Sequence, residues 1–143
     1  MAYCTVTDVE LAAGGSERLV ELADVEDDGA LNFTALAAAI ASSDAWIDSY
    51  LQRRHAVPLA SVPERVKRFS AQETIYVLKQ ARNAVTDEDK EQHDERREWL
   101  VDVSKGVASV GVDPAPTKST AIVPEVLERS SDEAISRASL ENW

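Results

Sequence analysis

From Asn32 to Leu51 the positions Phe33, Leu36, Ala37, Ile40, Asp44, Ile47 and Leu51 recur at helical spacing, and all but Asp44 are apolar. One stripe of an α-helix has this pattern. Asn32 can accept the first free backbone N–H groups, and no Gly or Pro interrupts the run before Pro58, so a helix of about five turns is predicted. The rest of the chain is read around it.

Upstream, Thr5 with Asp8 or Thr7 with Glu10 can cap a short helix from about Asp8 to Ala13, which Gly14 and Gly15 end. Ser16 can cap a second, carrying Leu19, Val20 and Leu22 to about Ala23. Neither is long enough to stand alone, so both must pack on the long helix. Downstream, residues 53–63 form a loop stiffened by Pro58 and Pro63. A second long helix is predicted from Pro63 to about Asn83, with Ser61 as cap. Its apolar arc, with Val62, Val66, Phe69, Thr74, Val77 and Ala81 inward and Ile75 and Leu78 widening it, is broad enough for two partners. Thr86 caps a third, which runs to Lys105 and stops at Gly106; its first half is almost wholly charged, and Trp99, Leu100 and Val103 anchor the second. From Val107 the period is lost and three prolines follow, which reads as an extended linker leading to an arm with Val126, Leu127, Ile135, Leu140 and Trp143. The division expected is a helical domain over 1–106 and an extended tail over 107–143. The fold class is all-α: a small bundle of three principal helices and two short N-terminal ones.

Composition adds limits. The 143 residues are 44% apolar, but the share is rich in Ala and only 6% is aromatic, so the core is thin and gains from neighbours. The net charge of −11 argues against wrapping nucleic acid by phosphate neutralisation. Eight acids and one base fall within residues 1–32. The basic concentration is Arg53, Arg54, Arg65, Lys67 and Arg68, a candidate docking patch for an acidic protein surface. Cys4 is the single cysteine, which excludes an internal disulfide, and no stretch reaches the roughly 18 apolar residues of a membrane span. A cytosolic, membrane-free protein is expected.

Candidate chemistry is sparse. Asp44 and Asp48 lie four apart on one helix face, a pattern that metal or acid–base chemistry can use. No His or Cys stands at ligand spacing beside them, and polar contact at a packing edge is the expected role. His93 falls in the charged half of the last helix and reads as a surface residue. Gly14-Gly15 lacks the preceding strand and following Lys of a phosphate-binding loop. No nucleophile-and-base set is present, so no catalytic residue, cofactor or metal is expected. The arm is different: Ile135, Leu140 and Trp143 read as anchors and Arg137 as a polar clamp on another subunit.

The opening Met1 to Val9, the turn Asp27-Asp28-Gly29, the run Ala45-Trp46-Ile47-Asp48-Ser49-Tyr50-Leu51 and the loop Arg54 to Leu59 followed by Val62-Pro63 come in a telling order. With Trp99-Leu100 before Lys105-Gly106, and Ser136-Arg137-Ala138-Ser139-Leu140 through Trp143 at the end, they resemble the head–tail connector (adaptor) proteins of Mu-like tailed phages and prophages. The resemblance covers about residues 1–112. Gln52-Arg53-Arg54-His55 departs from relatives that have a small residue, then Arg and Tyr. The resemblance implies a non-catalytic virion protein, made in the host cytoplasm and located in the neck. It implies a ring of twelve copies that meets the portal protein and a tail-completion or stopper protein and lets DNA through without sequence-specific binding. A monomeric acidic helical binding or regulatory module is the alternative, and a small hydrolase using Asp44 and Asp48 a further one.

Overall fold

The structure is a computed structural model that describes residues 1–112, and among these it has five helices and no strand. They are α1 (Val6–Ala13), α2 (Ser16–Ala23), α3 (Phe33–Leu51), α4 (Glu64–Ala81) and α5 (Asp87–Lys105). The fold is the predicted all-α bundle of three principal and two short helices.

Their ends follow local chemistry. Of the two capping candidates for α1, Thr5 with Asp8 is used: the Thr5 hydroxyl accepts the Asp8 N–H, and the Asp8 carboxylate accepts the Thr5 N–H at 2.7 Å, so the helix starts at Val6. Gly14, at φ 91°, closes it in the left-handed conformation. The expected caps Ser16 and Ser61 are not used. Gly15 and Pro63 occupy those N-cap positions and offer no side-chain acceptor. Asn32 accepts the Ala35 N–H at 2.9 Å, and Thr86 with Asp89 forms a second reciprocal box at the head of α5. The Val57–Pro58 bond in the α3–α4 loop is cis.

α3 and α4 form the central pair; α1 and α2 pack on one side of α4 and α5 covers α3. Two apolar clusters result. The first joins Val9, Leu19, Ala23, Leu36, Ile40 and Leu78. The second joins Tyr3, Ile47, Leu51, Val66, Leu100 and Val103 with Leu59 of the loop. Leu36 and Leu78 share the first cluster while Leu51 and Val66 share the second, so α3 and α4 run antiparallel. Beyond α5 the chain stays on the bundle: Val110 is buried in the second cluster, with Ala108 and Val112 against it.

The α3 stripe is turned slightly from the predicted one. Ala39 and Ser43 join Leu36, Ile40, Asp44, Ile47 and Leu51 inside, while Phe33 and Ala37 face outward. On α4 the buried line is Val66, Ser70, Ala71, Glu73, Thr74 and Leu78, with Phe69 and Val77 only half-buried. Small and polar residues therefore lie on the facing sides of the two helices, where the Thr74 and Ser43 hydroxyls are 3.2 Å apart, which the apolar pattern alone does not show.

Candidate functional site

Between the two clusters lies a layer of buried polar groups. Asp44 is its centre, not a packing edge: its carboxylate accepts the Ser70 hydroxyl at 2.6 Å and the Tyr3 N–H at 3.1 Å. Cys4 Sγ is 3.2 Å from Ser70 Oγ, and the Thr74 hydroxyl donates to the Ser70 carbonyl at 2.8 Å. Ser43 donates back to the Ala39 carbonyl at 2.9 Å. Tyr3 locks the N-terminal segment into place: its hydroxyl donates to Asp48 and accepts the Leu59 N–H at 3.0 Å. Burial pushes the Asp44 carboxyl above the usual carboxylate range despite the bonds from Ser70 and Tyr3. Burial, with the bond to Asp48, also raises the Tyr3 hydroxyl well above its ordinary value, and burial raises the Cys4 thiol.

This disposes of Asp44 and Asp48 as an open pair. Both are engaged in holding Tyr3 and Ser70, and among the described residues no group of three or more His, Cys, Asp or Glu is placed to hold a metal ion.

A second polar knot joins α4 to α5. Glu73 is buried, and one of its oxygens accepts from Arg96 Nη2 at 3.1 Å and Nε at 3.3 Å and lies 2.9 Å from His93 Nδ1. His93 is not the surface residue its neighbours suggest: its ring stacks 4.4 Å from Tyr76 and 5.0 Å from Trp46, tying three helices together. The charged half of α5 is therefore held down by Arg96 and His93. The signal was present in the sequence, as an acid inside the α4 arc and a His and an Arg three apart on the next helix.

The basic set divides among four surroundings. Arg54 sits against Gly106, at φ 80°, where a Cβ would collide with its guanidinium. Arg65 lies over the Trp99 ring at 4.5 Å and the Phe69 ring at 5.4 Å. Lys67 pairs with Asp8 at 3.2 Å, a contact that raises the lysine's proton affinity, while hydrogen bonds from Thr5 lower the Asp8 pKa. Arg53 and Arg68 are exposed. Arg53, Arg54 and Arg65 share the loop end of the bundle, and Lys67 and Arg68 flank a groove toward α1. The arm residues Ile135, Arg137, Leu140 and Trp143 lie outside the described residues.

One feature has no counterpart in the predicted set. Leu22, Val25, Ala35, Ala38, Val77 and Ala81 line an open apolar groove of about 540 Å³ between α2, α3 and α4, with Asp27 and Arg82 at its rim, 3.5 Å apart. The alanines at 35, 38 and 39 make a second, small-residue stripe on α3, too short to fill the space. Beside the groove, Asp24 accepts the Gly29 N–H at 2.8 Å and the Asp28 N–H at 3.0 Å, which shapes the acidic turn and holds the Asp24 carboxyl below its usual range.

Among the described residues no helix is long and apolar enough to cross a membrane. A comparison with curated proteins finds no match. Residues 3–128 match the sequence model of the family described as Bacteriophage Mu, Gp36.

Proposed function

Because the chain belongs to the bacteriophage Mu Gp36 family, we propose that it is a structural protein of the phage virion, the head–tail connector. In this reading copies form a ring, of twelve, beneath the portal, complete the head, receive the tail-completion or stopper protein, and line part of the DNA channel in the neck. The observation that carries it is the extent of the family match, which takes in all five helices and runs past them to residue 128.

Physical features support the same role. A net charge of −11 repels the phosphate backbone, so DNA slides past such a surface instead of adhering. The buried acids serve packing, and no step of catalysis is assigned to them. The arm supplies apolar side chains at 135, 140 and 143, with Arg137 between, for a portal or neighbouring subunit.

Capture on immobilised portal protein tests the proposal. The full chain is expected to be retained and a form ending at Gly111 lost, and the shorter form keeps Val110 and hence the second cluster. Equal capture of both forms, or of neither, would overturn the assignment of the arm to the portal. Phage particles lacking the protein are expected to stop as heads without tails; normal tailed particles would overturn the connector role itself.

A further inference from the structure

Charge is sorted along the bundle. The end made by the α3–α4 loop and the last turn of α5, residues 52–68 and 102–112, holds six Lys and Arg against Glu64 and Asp102. Among the described residues only Lys67 of those six has an ion-pair partner. The opposite end, residues 21–32 and 82–91, holds nine acids against Arg82 and Lys90. Among the described residues the free cations thus gather at one pole and the densest acids at the other.

Each pole also exposes apolar surface. Val107, 76% exposed, follows the Gly106 turn beside Arg54. Val25, 64% exposed, forms a wall of the alanine-floored groove at the acidic pole. An apolar centre inside a charged rim is the anatomy of a protein–protein contact, and here the two rims have opposite sign.

We infer that the basic pole of one copy docks on the acidic pole of a second copy. Val107 enters the groove beside Val25, and Arg53, Arg54 and Lys105 face Glu21, Glu26 and Asp28. The occupant is a second copy because both halves of the contact are on this chain and match in charge and in polarity. Such a contact is heterologous: each copy leaves one pole free, so the contact repeats and closes into a ring when its rotation allows. The inference names the subunit contact of the connector reading and rests on that reading for its setting.

Sedimentation velocity of the full chain between about 0.01 M and 1 M salt, where the screening length falls from roughly 30 Å to 3 Å, tests it. Concentration-dependent association is expected at low salt, weakening by about tenfold or more across the range. Arg53→Glu with Lys105→Glu, and separately Glu21→Lys with Glu26→Lys, should each weaken association by about tenfold or more, with helicity by circular dichroism unchanged. An equimolar mixture of the two double variants should associate again, since each then supplies the pole the other lacks. Ala38→Trp fills the groove without altering charge and should weaken association as well. A chain that stays monomeric at every salt, association indifferent to both reversals or to Ala38→Trp, or a mixture that stays monomeric would overturn the inference. Portal capture by a chain that remains monomeric would remove the inference and leave the connector reading; self-association without portal capture would do the reverse.

Discussion

Truncating Glu73 to Ala would leave the Arg96 guanidinium, whose side chain is 6% exposed, without its carboxylate. Breaking a buried ion pair from one side costs about 3–5 kcal/mol, whereas replacing both members with apolar residues of similar volume is often near neutral. Urea unfolding should therefore show Glu73→Ala destabilised by roughly that amount, and Glu73→Leu with Arg96→Met much closer to the parent. Asp44 couples stability to pH. Its carboxyl is held above the ordinary range, chiefly by burial, so the folded state keeps the proton more tightly than the unfolded chain. The stability this adds is present below the unfolded pKa of about 3.9 and is lost as pH rises through the raised value. Relative to the parent, Asp44→Asn should gain stability as pH rises from about 4 through the raised value, read from unfolding midpoints across a pH series. Asp8 and Asp24, held below the ordinary range by hydrogen bonds from Thr5 and from the Gly29 N–H, act the other way. So does Asp89, where burial is outweighed by bonds from Lys79 and Thr86. Their stabilisation is present at neutral pH and drains away as pH falls through their lowered values.

Caps and stops set the elements, and these were the most legible part of the chain. Thr86 to Asp89 and Gly106 bound α5 as the residue types require, because a capping box and a left-handed stop are local chemistry. Thr86→Ala should cost about 1 kcal/mol in unfolding free energy, with the loss visible as faster amide exchange in the first turn of α5. Ser16 and Ser61 were misleading for the complementary reason. A hydroxyl near a helix start caps only if the backbone places it at the N-cap, and there Gly15 and Pro63 hold that place. The tilt of the α3 stripe, with Phe33 out and Ser43 in, was not legible, since it depends on which face of α4 comes near. Ser70 and Thr74 on that face accept close approach and polar partners together. Past the last stop, the loss of period at Val107 was plain, but the return of Val110 to the core depends on tertiary contact. Val110→Ala should cost about 1–2 kcal/mol by thermal or urea unfolding, a larger loss than a linker position would give.

At the scale of the molecule, the family-like order of motifs and the helix count were readable from the chain. The groove and the charge axis were not, because each is assembled from segments far apart in sequence: Leu22 with Val77, and Arg54 with Gly106. The layer around Asp44 has a mechanical meaning for the whole bundle. If α3 slipped along α4 by one turn, about 5.4 Å, the carboxylate would leave Ser70 and Tyr3 and enter oil on one side or the other. The pair is thus a keyed shaft, able to flex but not to creep, and its seat is chosen by mutual fit and not by grease alone. Replacing Asp44, Ser70 and Thr74 together with Leu, Ala and Val should leave melting temperature similar or higher while blurring the amide spectrum into several slowly exchanging registers. A single sharp set of resonances from that variant would mean that shape, without the key, already holds the helices in step.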